Sequence, residues 1–147
     1  MKSEPGGCYS IVYISTAIAD FREADLLQLL KQARGFNEQA GITGVLMYSG
    51  GRFIQVLEGC PAAVRRLFAR IAADPRHGCL EKLADGRVPQ REYKEWYMSF
   101  APPPTAADWR QLPGYLTPPQ LVLAGLGTAT QPLLSEFLAA STEMVLV

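Results

Sequence analysis

The chain has 147 residues, 48% hydrophobic and 19% charged, which suits one globular domain with length to spare beyond a minimal core. Fourteen Lys and Arg balance fourteen Asp and Glu without a basic run, so no phosphate-tracking surface and no nucleic-acid partner is expected. Met1 to Gly7 lacks the basic and apolar parts of a signal peptide, no long apolar run is present, and three scattered cysteines with one histidine make neither a disulfide framework nor a metal clip. The expectation is a reduced, metal-free, cytoplasmic protein with no membrane association.

Tyr9 to Ser15 is rich in β-branched and aromatic residues and puts Tyr9, Ile11, Tyr13 and Ser15 on one face, which predicts a central strand. After a turn at Ala19-Asp20, Leu26, Leu29, Leu30 and Ala33 repeat at helical spacing and predict a helix to about Gly35. Gly41 to Tyr48 and Arg52 to Leu57 are short apolar strands joined by Ser49-Gly50-Gly51, whose glycines permit the positive φ of a tight antiparallel hairpin. Gly59-Cys60-Pro61 opens a second helix, since proline at its first position loses no hydrogen bond; Val64, Leu67, Phe68 and Ile71 form its stripe, which ends near Asp74-Pro75. Cys79 to Ala84 is a weaker strand. Glu95 to Ala101 is a stronger one, alternating Trp96, Met98 and Phe100 with Tyr97 and Ser99.

This order predicts an α+β, ferredoxin-like sandwich: a five-stranded mixed sheet with two helices on one face and a groove between them. Pro102-Pro103-Pro104 marks the edge of a domain over residues 1–101. Residues 102–147, punctuated by Leu112-Pro113 and Pro118-Pro119, carry two helical patterns, Gln120 to Leu126 and Gln131 to Met144, whose apolar residues are expected to cover the other sheet face.

Three polar residues stand out from this core. Gln55 shares a face with Phe53 and Leu57, where an amide without partners costs roughly 1–3 kcal/mol; a water, an exposed strand edge or a polar ligand would each satisfy it. The Tyr13 hydroxyl, amid Ile11, Val12 and Ile14, needs a partner as well, for which a backbone carbonyl suffices. Asn37, placed just after the first helix, reads by itself as a cap or turn residue. The fold brings all three towards the foot of the inter-helix groove, a setting suited to a planar ligand with polar edges.

Five segments in order carry a family resemblance: Ile11-Val12-Tyr13-Ile14-Ser15; Asn37 ahead of Gly41-Ile42-Thr43-Gly44; Tyr48-Ser49-Gly50-Gly51 leading to Phe53-Ile54-Gln55-Val56-Leu57-Glu58-Gly59; Asp74-Pro75-Arg76-His77; and Trp96-Tyr97-Met98. Over about Tyr9 to Phe100 the chain resembles the BLUF family of flavin-based blue-light sensors. The resemblance implies FAD held non-covalently between the two helices, with Tyr13 and Gln55 at its photoactive edge and Asn37 at its carbonyl and imide edge. It implies Leu29 and Ile71 flanking the ring, Arg70 near a pyrimidine-side oxygen, and Asp74, Arg76 and His77 towards the ribityl and phosphate end. Read without the resemblance, Leu29 and Ile71 are ordinary core residues and Arg70, Arg76 and His77 are solvated helix-end charges. Phe36 departs from the pattern, standing where the family often has a second polar residue, which puts one flavin hydrogen bond in question.

What the resemblance implies is a photoreceptor without turnover, in which light rearranges the hydrogen bonds of Tyr13 and Gln55. Trp96 and Met98 on the last strand would pass the change to the C-terminal helices and on to a separate effector protein, and apolar residues in the tail would support a homo-oligomer. Two other readings of the fold are an acylphosphatase-type hydrolase, which lacks its arginine-bearing glycine loop here, and a regulatory module for a non-flavin metabolite.

Overall fold

The computed structural model describes residues 7–18, 23–101 and 114–146. The turn at Ala19-Asp20, the Pro102-Pro103-Pro104 edge and Leu112-Pro113 lie outside the described residues. The elements run β1 (Cys8–Ala17), α1 (Glu23–Ala40), β2 (Thr43–Ser49), β3 (Arg52–Gly59), α2 (Pro61–Ala72), β4 (His77–Val88), β5 (Trp96–Ala101), α3 (Pro118–Ala124) and α4 (Gln131–Leu146). The five strands form one mixed sheet in the order β4-β1-β3-β2-β5, with β5 parallel to β2 and the other pairs antiparallel.

Strand alternation divides the hydrophobic residues between two cores. Ile11, Leu46, Phe53, Leu57, Trp96 and Met98 join Leu26, Leu27 and Leu30 of α1 and Val64 and Leu67 of α2 in one. Val12, Val45, Met47, Ile54 and Val56 face the other way, where Leu121 of α3 and Leu134 and Phe137 of α4 cover them. The expected architecture, with two helices on one face and the C-terminal helices on the other, is the observed one.

Several element boundaries differ from expectation. α1 runs through Gly35 and stops at Gly41, whose φ of 70° lets the chain reverse. The amides of Ile42 and Gly41 there donate to the carbonyls of Asn37 (2.8 Å) and Glu38 (3.3 Å), the pairing of a Schellman cap. Asn37 therefore lies inside the last turns of the helix, and β2 begins only at Thr43. The weak strand is longer than expected, because β4 pairs along nearly the whole of β1 as a sheet edge, where apolar patterning is not required. α3 starts at Pro118, two residues early, because Thr117 caps it reciprocally with Gln120.

Gly44 has no room for a side chain. Its φ is 143°, and a Cβ there would lie 1.9 Å from the Val56 carbonyl oxygen on the neighbouring strand. Gly44→Ala is expected to lower unfolding free energy by about 1–3 kcal/mol, read from the urea midpoint.

Glu58 ties the segment between β4 and β5 to the sheet. Its carboxylate, fully buried, accepts the amides of Glu92 and Tyr93 at 2.9 Å each, which pins the segment between β4 and β5 to β3. From that segment the Tyr93 hydroxyl lies 2.7 Å from Thr130 Oγ1, and the Glu92 carboxylate accepts the Ala129 amide at 2.6 Å. The start of α4 is thus anchored to the strand that also carries Gln55.

Candidate functional site

α1 and α2 lie on the sheet face that carries Tyr13, Gln55 and Phe53, and between them a cavity of about 370 Å³ opens to solvent. That volume falls within the range of small-molecule sites, about 300–1,000 Å³. From α1, Leu29, Ala33, Phe36 and Asn37 line it at helical spacing; from α2 and its C-terminal end come Leu67, Arg70, Ile71 and Asp74. Arg76 and His77 close one end, and Leu46 and Phe53 complete the sheet floor.

Tyr13 and Gln55 are directly opposed in register on adjacent antiparallel strands, and the Tyr13 hydroxyl donates to Gln55 Oε1. Both side chains are buried, at 3% and 4% exposure. Burial pushes the phenol's pKa well above its ordinary value, and the nearby Asp74 charge adds to the rise, so Tyr13 remains a neutral donor. With Oε1 engaged by the phenol, the carboxamide's NH2 end is what Gln55 has left for a ligand.

Asn37 is 1% exposed, and its Nδ2 has no hydrogen-bond partner. An orphaned donor of that kind costs about 1–3 kcal/mol unless something in the cavity accepts from it. The polar groups of Asn37, Gln55 and Arg70 thus offer mainly N–H donors, while Leu29, Ile71, Leu46 and Phe53 offer apolar walls. This donor set fits a flat ring with carbonyl acceptors along one edge, as a flavin has.

At the opposite end Arg76 grips Asp74, with Nη2 to Oδ2 at 2.6 Å and Nε 3.0 Å from each carboxylate oxygen. This bonding holds the Asp74 carboxyl below the usual carboxylate range. His77 has both ring nitrogens engaged: Nε2 lies 2.6 Å from the Ile71 carbonyl and Nδ1 2.7 Å from Ser15 Oγ. A carbonyl only accepts, so Nε2 carries a proton and donates to it, while Nδ1 shares a hydrogen bond with the Ser15 hydroxyl. His77 therefore offers the cavity its ring and not a free nitrogen.

All nine residues that the sequence singles out as photoactive or cofactor-binding line this one cavity. Gln32 at its exposed rim and Ser15 behind His77 were not anticipated. Gln32 stands one helical turn before Phe36, a spacing that would have found it; Ser15 has no signal of its own without the position of β4. Trp96 and Met98 do not line the cavity. Their side chains belong to the core under α1 and α2 and not to the face covered by α3 and α4. Met98 still meets the tail through its backbone, donating to the Gly114 carbonyl and accepting from the Leu116 amide at 2.9 Å each. It also closes a row across the sheet, Tyr13, Gln55, Leu46, Met98, in successive pairing positions.

A ferredoxin-like sheet carries a donor-lined cavity over a buried phenol and carboxamide, a setting that suits a planar, acceptor-edged ligand. Residues 8–99 match the family described as sensors of blue-light using FAD, and the chain belongs to this BLUF family. It is 47% identical over 62 residues to the photoactivated adenylate cyclase subunit alpha of Euglena gracilis, a match covering 42% of this chain and 6% of that protein. It resembles the structure of Klebsiella pneumoniae BlrP1 with FMN and cyclic diGMP at 33% identity and a TM-score of 0.57, covering 63% of this chain and 25% of that one. The dark-state structure of the BLUF protein BlrB matches at 27% identity and a TM-score of 0.61, covering 86% and 83% of the two chains. The chain therefore spans a small fraction of the Euglena cyclase and about a quarter of BlrP1. Membership of a flavin-using sensor family supersedes the hydrolase and non-flavin readings. No helix among the described residues is long and apolar enough to cross a membrane.

Proposed function

We propose that this protein is a cytoplasmic blue-light photoreceptor that binds FAD, catalyses no turnover, and signals to a separate effector protein by rearranging hydrogen bonds around Tyr13 and Gln55. The observation that carries this reading is the Tyr13–Gln55 hydrogen bond on the floor of a cavity whose Asn37 donor is unanswered. Asn37 would hold the carbonyl and imide edge, Leu29 and Ile71 the ring faces, and Arg70 a pyrimidine-side oxygen. Asp74, Arg76 and the His77 ring would border the ribityl end.

A bound flavin supplies a blue-absorbing group whose excited state is oxidising enough to draw an electron from a phenol. The chain supplies the proton path. A phenol that has lost an electron is a strong acid, and the proton on Tyr13 Oη already points at Gln55 Oε1. When electron and proton return to Tyr13, the Gln55 carboxamide is left rotated or tautomerised, so that it no longer presents to the cavity the NH2 it presents in the dark. The Leu46–Met98 row and the backbone bonds of Met98 to Gly114 and Leu116 support an output from residues 1–101 into the tail, residues 102–147, with Trp96 beside it on β5. Self-association of that tail into a homo-oligomer would give the signal a second way out.

The test is a purified, yellow preparation recorded in the dark and under blue light. The expected result is a modest red shift of the flavin bands that reverses in darkness; a flavin-loaded protein with an unmoved spectrum would remove the sensor reading.

A further inference from the structure

Phe36 and Arg70 face each other across the cavity mouth, one on each flanking helix. The Arg70 Cζ lies 4.7 Å from the centre of the Phe36 ring, within cation–π range. Both residues line the cavity, Phe36 half-buried and Arg70 exposed, while Asn37 lies buried beneath them. The ion pairs Asp74–Arg76 and Lys82–Asp85 leave Arg70 out, and its guanidinium makes no hydrogen bond among the described residues. An arginine side chain has about 2 kcal/mol of rotamer entropy to lose, so without an anchor its fork would sweep through solvent. The phenylalanine ring is the anchor that the structure provides.

We infer that Phe36 is a positioning residue, whose ring holds the Arg70 guanidinium over the cavity mouth and so delivers its N–H fork to the same acceptor edge of a bound flavin that Asn37 meets from below. The inference rests on the flavin-binding reading. It also accounts for the departure at position 36: an aromatic side chain there acts on the ligand through arginine, where a polar one would act directly. An apolar group of similar size would fill the same space without holding the cation.

The full chain is titrated with FAD in the dark as the parent, Phe36→Leu, Phe36→Tyr, Arg70→Gln and the double variant Phe36→Leu/Arg70→Gln, following flavin fluorescence. The flavin carbonyl stretching bands are recorded on each loaded protein by Raman or infrared spectroscopy. Phe36→Leu is expected to weaken FAD binding about 2–5-fold, the loss of one exposed cation–π contact, and to move a carbonyl band to higher frequency as Arg70→Gln does. Phe36→Tyr, which keeps the ring face, is expected to match the parent in both readouts. The double variant is expected to bind no more weakly than Arg70→Gln alone. Losses that multiply in the double variant, or a carbonyl band that Phe36→Leu leaves in place, would overturn the inference while leaving flavin binding intact. A parent that takes up no FAD overturns the photoreceptor reading and this inference with it, a result distinguished by the parent titration alone. Should Phe36→Leu fail to fold, a carbonyl band displaced in Phe36→Tyr would still count against the ring-face anchor.

Discussion

Tyr13→Phe is expected to abolish the reversible red shift while the protein still takes up flavin. The substitution deletes one oxygen and keeps the ring, whose edge-to-face contact with Phe68, at 5.7 Å between centroids, and approach to His77, at 6.2 Å, do not depend on the hydroxyl. What is lost is the donor to Gln55 Oε1 and the group that can release an electron together with a proton. Gln55→Leu is expected to have the same photochemical result by the opposite route, leaving an oxidisable phenol with no carboxamide to relay its proton. Each variant also strands one buried partner, at a cost in stability of about 1–3 kcal/mol, so binding and folding are measured alongside the spectrum. Shifts of parental size in both variants would mean that the light response does not pass through this pair.

Glu58→Leu is expected to cost about 2–4 kcal/mol of unfolding free energy, because it leaves the part-buried Glu92 amide and the buried Tyr93 amide with no acceptor. The damage should travel: hydrogen exchange is expected to quicken in residues 89–95 and at Thr130, which the Tyr93 hydroxyl anchors. An unchanged denaturant midpoint would show that these amides find other partners.

The same carboxyl makes stability depend on pH in a stated direction. Burial raises its pKa above the ordinary carboxylate value, with the nearby Glu92 charge adding to the rise; the two amide bonds and Arg91 oppose it. The folded chain therefore keeps this proton at pH values where the unfolded chain has released it. This contribution to stability is complete below the ordinary carboxylate range and is lost as pH climbs through the raised value. Glu58→Gln cannot ionise, so the parent should lose stability relative to this variant as pH rises across that window. A gap between the two that stays constant with pH would mean that Glu58 titrates alike in both states.

Much of this was legible in the residues. Alternation in YSIVYIS and RFIQVL assigned side chains to the correct faces, and the Gln55 amide on an apolar face marked the floor of the site before any contact was known. The helical stripes through Leu29 and Ile71 gave the inward faces of α1 and α2, since helical spacing follows from local backbone geometry, while their place beside a ligand was implied only by the family resemblance. Asn37 was assigned to the loop because Gly35 looked like the stop signal. A glycine inside a helix costs only about 1 kcal/mol, and the hydrogen-bonded cap at Gly41 outweighs it. Glu58 gave no warning of its burial, because the amides that hold it belong to a segment more than thirty residues further along.

Local pattern thus determined which elements form, which way their side chains point and which polar groups are misfits in the core, because these depend on neighbours within a few residues. Only the tertiary structure decided that the Tyr13 hydroxyl meets Gln55 across 42 residues of chain, that both nitrogens of His77 are engaged, and that Trp96 and Met98 turn their side chains away from α3 and α4. Those outcomes depend on strand register and helix docking, which the packing of both sheet faces sets together, and a one-residue slip would have reversed every one of them.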